Sequence, residues 1–348
     1  MPGISQNPAI AGVVLSEQSS APAVPSSGKR KLYVGTDGGL RLEDSAGNVS
    51  VIASAVVAGA NLLVNPGLDV WQRGGGAFTA TNAYTADRWQ IVLGSSSTIS
   101  VSRNTADVDT GSQYCAAATY THTNQSRLTQ AMEDYGQLRG RTVTFSVRVK
   151  TTTASAARPY AWDSVNGYRY GSYHPGGAGT YATLSITAAI SATATGVQVG
   201  VALEASCTAY VDNATLVAGS TGLDYVPLHP ADDLLRCQRY YELLGGTIND
   251  LLVSGQCYAT TNAQFPIRWR VPKAIVPTVT INSPTSFQVA NAGGAGVACT
   301  GLISGSAGVT TRDGAALTAT VASGLVAGNG TVIFPVSTAA TVVAEANP

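Results

Sequence analysis

The chain has 348 residues, enough for two or three domains, and 11% of them are charged, where ordinary soluble domains carry roughly 25%. Twenty basic side chains balance twenty acidic ones, so the general attraction on which nucleic-acid binding rests is missing. No run of about 18 apolar residues reaches a membrane span, and the opening MPGISQNPAIAGVVLSEQ lacks the basic start and long apolar centre of a secretory signal. Cys115, Cys207, Cys237, Cys257 and Cys299 are widely spaced, form no C-x-x-C and leave an odd one out. They read as buried thiols made in a reducing cytosol.

Residues 1–30 hold four prolines and a Ser-rich stretch. They read as an extended arm that orders on docking or stays a loose tail. Residues 31–57 read as a small β meander. Leu32 and Val34, Leu40 and Leu42, and Val49 and Val51 alternate with polar positions around the turns Asp37-Gly38-Gly39 and Ala46-Gly47-Asn48. Three such strands cannot bury a core alone, so the meander must pack on another domain or on copies of itself.

Residues 58–228 show repeated period-2 patterning. Val143, Phe145, Val147 and Val149 share one face, as do Val197, Val199, Val201 and Leu203, with Ile99 and Val101 in a further run. One polar and one apolar side means antiparallel sheets packed face to face, and the size suits a jelly roll.

Residues 229–246 read as a connecting helix. Pro230 suits a first turn, Asp232 and Asp233 the positive end of the dipole, and Gly245-Gly246 a stop. Leu234, Cys237, Tyr241 and Leu244 then form a stripe that packs on a neighbouring sandwich or around an oligomer axis. Residues 247–348 return to alternation, with prolines confining strands to edges and ends, and read as a C-terminal β-sandwich. The fold class expected is therefore all-β.

The segments NLLVNPGLDVWQRG, TNAYTADRWQI, LTQAMEDYGQLRGRTVTFSVRVK and LLRCQRYYE resemble a domain common in tail and fibre proteins of tailed bacteriophages and prophages. The stretch FPIRWRVPKAIVPTVTI resembles the C-terminal β domain that follows it there. The segment from NPGLD to VDNATL is also similar to family 4/9 carbohydrate-binding modules, which are jelly rolls. KLYVGTDGGLRLEDSAGNV looks like the short β repeats that start many phage fibres. The resemblance covers about residues 31–285. It implies a virion structural protein, often a homotrimer, attached to other virion proteins through residues 1–57 and displayed toward host surface polysaccharide. It implies no enzyme, no membrane insertion and no cofactor beyond a structural calcium at Asp69 and Asp212. Two rivals remain: a capsid decoration, head-fibre or adaptor protein of purely structural role, and a polysaccharide depolymerase.

The candidate binding stretch is RPYAWDSVNGYRYGSYHPGG. Tyr160, Trp162, Tyr168, Tyr170 and Tyr173 offer flat apolar faces for sugar rings, and Asp163, Asn166 and Arg169 offer hydrogen bonds. Core packing with cross-strand Tyr pairs, or a subunit interface, explains the same residues. Trp71, Arg88 and Trp89 read as ligand contacts or, more simply, as structure, with Trp89 opening an apolar strand as core. A glycosidase needs two carboxylates across a cleft, and Glu133, Asp134 and Asp163 have no evident pairing. His122, His174 and His229 stand at neither metal nor triad spacing.

Overall fold

The computed structural model describes residues 23–34, 40–53, 61–177, 179–304 and 309–347. Most of the N-terminal arm and the Asp37-Gly38-Gly39 turn lie outside the described residues. The strands β1 (Lys31–Val34), β2 (Leu40–Glu43) and β3 (Val49–Ala53) form the expected antiparallel meander. Its second turn is tied by Asp44, whose Oδ1 accepts the N–H groups of Ala46 and Asn48 at 2.8 and 2.9 Å. Leu32 and Val49 each remain 44% exposed, so the meander leaves apolar surface uncovered.

Ten strands follow: β4 (Gln90–Val92), β5 (Thr98–Asn104), β6 (Cys115–Thr121), β7 (Ser126–Ala131), β8 (Thr142–Lys150), β9 (Ala157–Asp163), β10 (Gly167–Tyr170), β11 (Tyr181–Ala189), β12 (Val197–Leu203) and β13 (Cys207–Ala218). They make two five-stranded antiparallel sheets, ordered β10-β9-β12-β7-β4 and β11-β8-β13-β6-β5. From β5 to β9 and from β10 to β13 the chain passes between or doubles within these sheets, the crossing pattern of a jelly roll. The alternation read from sequence sets the register. Val143, Phe145, Val147 and Val149 are all wholly buried, and they face Val197, Val199, Val201 and Leu203 across one core. Each such side chain contributes about 1.5–3 kcal/mol by leaving water.

The NPGLD segment closes the end of this sandwich. Asn65 takes a positive φ of 52°, which suits asparagine. Its side chain accepts from Val70 N–H at 3.0 Å and donates to the carbonyls of Val70 and Asp87. Gly67 cannot be replaced without a shift, because a Cβ there would stand 2.4 Å from the Tyr225 hydroxyl. Trp89 fills the core beneath and donates to Asn65 O at 2.9 Å.

The expected helix of residues 229–246 is shorter. The helix α1 spans Pro230–Gln238, with the His229 side chain accepting from Ala231 N–H at its start. Tyr241–Gly245 is instead strand β14. The run YYELL suits a strand as well as a helix, and a partner strand far along the sequence decides the matter. That partner belongs to the C-terminal unit: β15 (Val253–Cys257), β16 (Asn262–Arg268), β17 (Thr278–Asn282), β18 (Phe287–Ala290), β19 (Gly296–Ser304), β20 (Gly314–Val321), β21 (Gly330–Pro335) and β22 (Thr341–Glu345). Six of them close a barrel, β15-β16-β20-β19-β18-β21, and β14-β22-β17 form a three-stranded sheet over the same core.

The two β units are joined largely by residues of the NPGLDVWQRG, DRWQI and CQRYYE segments. Arg73 and Arg88 of the jelly roll stack on Tyr241 and Tyr240, 3.8 and 4.0 Å from the ring centres. Arg73 also pairs with Glu345 at 2.7 Å and Arg88 donates to Asn347 at 2.9 Å. From the other side Arg239 grips Glu133 through Nε and Nη2, and the Tyr240 hydroxyl donates to the same carboxylate. Asp233 of α1 accepts from Asn65 N–H at 3.1 Å.

Candidate functional site

The inward residues of β12 define which side of its sheet faces out. Gln198, Gly200 and Ala202 alternate with the core valines, so they face outward. The register sets them beside Trp162, Tyr160 and Arg158 of β9 and beside Ala131, Thr129 and Arg127 of β7. Trp162 and Tyr160 lie opposite Tyr168 and Tyr170 of β10. The Tyr-rich stretch is therefore a hairpin whose aromatic residues share the outer face of the sandwich.

The rings form one cluster. Tyr168 stacks on Tyr170 with centroids 6.1 Å apart, and lies 6.2 Å from Trp162 and 5.5 Å from Tyr160. Tyr168 is 40% exposed and Tyr173 39%, while Trp162 and Tyr170 are half-buried. Tyr160 is wholly buried. It is the floor of the cluster and cannot touch a sugar. Arg169 pairs in register with the core-facing Ala161, so it points to the opposite side from Tyr168 and Tyr170. There it binds Asp163 at 2.6 Å and the carbonyl of Ala189, locking the hairpin. Two of the six candidates thus serve structure.

The sequence reading missed the polar rim. Arg158 lies 3.8 Å from the Tyr170 ring centre and donates to Glu204 Oε1 from Nε and Nη2 at 2.9 and 2.7 Å. Glu204 also accepts from Gln125 and from the Tyr173 hydroxyl. Burial pushes the Glu204 carboxyl up, but these hydrogen bonds outweigh it and hold it below its ordinary value. Arg127 lies 4.2 Å from the Tyr168 ring centre, and its Nε donates to Gln125 Oε1 at 2.9 Å. The signal was available: Arg127, Thr129 and Ala131 hold the alternate positions of a strand whose Leu128 is core.

Other candidates separate from this face. Cys237 and Tyr241 are buried within the chain, and Leu244 packs on the C-terminal core. Leu234 is 36% exposed. The four do not form one helical stripe, because the last two belong to β14. Glu133 serves the junction. Burial raises its carboxyl, but the bonds from Arg239 and Tyr240 bring it below the ordinary value. Asp134 accepts from Gln137, and Asp163 accepts the N–H groups of Val165 and Asn166. His122 meets the Tyr120 hydroxyl at 2.9 Å, His174 accepts from Gly176 N–H and His229 caps α1. The cysteines are all free thiols, buried except for the half-buried Cys207.

Asp212 is wholly buried, with Oδ2 accepting Asp109 N–H at 2.9 Å and Oδ1 accepting Ser112 Oγ–H and Asn213 N–H at 3.0 and 2.8 Å. Asp69 Oδ1 accepts the N–H groups of Gln113 and Tyr114. Calcium takes six to eight oxygens. Here N–H and O–H donors already occupy both Asp212 oxygens, and among the described residues no three His, Cys, Asp or Glu side chains converge. The donor set does not fit that ion.

The architecture defines an all-β protein, a jelly-roll sandwich followed by a closed six-stranded barrel with a three-stranded sheet. No protein-family model matches the chain, and no curated protein matches it. Solved structures similar to it include the C-terminal family 22 carbohydrate-binding module of Clostridium thermocellum Xyn10B, at 16% identity, covering 43% of this chain and 97% of that one with a TM-score of 0.32. The CBM22-1 xylan-binding domain of Paenibacillus barcinonensis Xyn10C is 10% identical, covering 43% of this chain and 98% of that one, with a TM-score of 0.32. The enzymatically active domain of tailspike protein 4 of bacteriophage CBA120 is 13% identical with a TM-score of 0.33. It covers 46% of this chain, which in turn spans only 21% of that one.

Proposed function

We propose that the chain is a bacteriophage virion appendage protein, non-catalytic, whose jelly roll presents the outer face of the β10-β9-β12-β7-β4 sheet to host surface glycan. The observation that carries this is the row of Trp162, Tyr168, Tyr170 and Tyr173 on that face, with Tyr168 and Tyr173 exposed. A pyranose ring presents an apolar face to such side chains, and Arg158, Gln125 and Glu204 at the rim supply donors and acceptors for its hydroxyls. The virion setting rests on the phage-like motifs, which build the joint between the two β units. Homotrimer assembly rests on the same resemblance. Residues 1–57 would then attach to other virion proteins.

The test is adsorption to host cells and binding to extracted surface polysaccharide by wild type and by Tyr168→Ala with Tyr173→Ala. Both side chains are about two-fifths exposed, so the variant keeps its fold while binding drops at least about tenfold, the loss expected of one stacking or anchoring contact. Unchanged adsorption, or an altered oligomeric state in light scattering with glycan binding intact, would show that the face is an interface between proteins.

A further inference from the structure

We infer that this face takes an acidic glycan and that Arg127 is the residue that reads its charge. The inference rests on the glycan reading of the same face. Gly200 and Ala202, the outward residues of β12, are small and buried. Over them Arg127 reaches from β7 toward the rings of β9 and β10, ending 4.2 Å from the Tyr168 ring centre and 6.0 Å from that of Tyr160. Its Nε is spent on Gln125 Oε1, which also accepts from the Tyr170 hydroxyl at 2.9 Å. The guanidinium is therefore held over an aromatic ring and anchored at Nε.

Its terminal nitrogens are not used in the same way. Among the described residues no carboxylate pairs with Arg127 and no acceptor meets its two Nη atoms. Arg158 is different, because Glu204 neutralises it at 2.7 Å. Two guanidiniums against one carboxylate leave one positive charge on the face. Arg169, the remaining arginine of the hairpin, is paired with Asp163 on the other side.

A planar cation with both terminal nitrogens open matches a carboxylate or phosphate oxygen pair. Stacking on Tyr168 keeps the fork pre-oriented, so little side-chain freedom is lost on binding. Tyr168 and Trp162 beside it would carry the sugar ring that bears the acid. With zero net charge over the whole chain, the preference for an anion comes from this one group and not from a general field.

The experiment is calorimetric binding of the full chain to a panel of purified bacterial surface polysaccharides, acidic and neutral. Each acidic polysaccharide that binds is measured again after carboxyl reduction or dephosphorylation, which tells carboxylate from phosphate. Wild type binds acidic members, loses binding when the acid is removed, and weakens as salt is raised. Arg127→Gln loses about tenfold to a hundredfold in affinity, the range of a charge-assisted bond. Arg127→Lys loses less, since it keeps the charge without the fork. Both variants melt at the wild-type temperature, and a fall that tracks the loss of binding would mark Arg127 as structural and sink the inference. Equal binding of neutral and acidic members, unchanged in Arg127→Gln but reduced in Tyr168→Ala, would overturn the acidic reading and keep the glycan face. Binding to no member of the panel would overturn both.

Discussion

The guanidinium of Arg73 lies 3.8 Å from the ring centre of Tyr241 and 5.0 Å from that of Tyr84, and is ion-paired to Glu345. A residue of the NPGLDVWQRG segment thus stands on a residue of the CQRYYE segment. The pairing explains why those two stretches stand out in the sequence: each is one half of a joint.

Removing the joint should uncouple the two β units. Arg73→Ala and Arg88→Ala are each expected to cost about 2 kcal/mol, the worth of a desolvated cation–π contact. In scanning calorimetry the double variant should show two separated transitions where wild type shows one. A single unshifted transition would contradict this. Lysine at either position should recover part of the loss only, because an ammonium cannot stack as a plane.

Lys273 and Glu242 form an ion pair at 2.5 Å with both side chains wholly buried, and Glu242 also accepts Arg270 N–H. Burial lowers the Lys273 ammonium below its ordinary value, with Glu242 opposing. Lys273→Met should destabilise by about 3–5 kcal/mol because it strands a buried carboxylate. Adding Glu242→Leu should restore most of that in urea unfolding. If the double variant is as unstable as the single, the pair is worth more than its desolvation.

Two buried carboxyls set a pH dependence. Burial pushes Asp87 up to about 6 and Asp212 up to about 7, from 3.8. The folded chain therefore holds protons that the unfolded chain has released between pH 3.8 and these values. Their stabilising contribution is full below 3.8 and is lost as pH rises through about 6 and about 7. Stability should be higher at pH 5 than at pH 8, and Asp212→Asn should flatten that slope. A slope of opposite sign would refute the assignment.

Because hydrogen-bond donors already fill the Asp212 oxygens, a chelator should leave the melting temperature where it is. A drop of several degrees in EDTA, reversed by added calcium, would restore the metal reading implied by the family likeness.

The sandwich was legible because β8 and β12 each place four apolar residues at strict alternation, a pattern with few competing structures. The hairpin at Tyr160–Tyr170 was legible as aromatic, but not which rings would be covered. Tyr160 became the floor because Tyr168 and Tyr170 close over it, a relation between strands that period-2 reading does not contain. Arg127 was legible as an outward position of β7, but not that among the described residues no carboxylate would pair with it, which only a neighbourhood can show. The spacing of Leu234, Cys237, Tyr241 and Leu244 fits a helical stripe, yet Tyr241 and Leu244 went to a sheet. A hydrogen-bonded partner distant in sequence outweighed local periodicity.

That partner has a consequence for how the molecule is made. β22 is the middle strand of its sheet, hydrogen-bonded to β14 on one edge and β17 on the other. A ribosome delivering the chain in order finishes the jelly roll and β14 well before β22 exists. Over that interval β14 and β17 each wait with an unpaired backbone edge, open to a like strand from a neighbouring nascent chain. The C-terminal unit is therefore the place where crowded polysomes, slow translation or a stall before residue 341 would divert this protein into tangled assemblies.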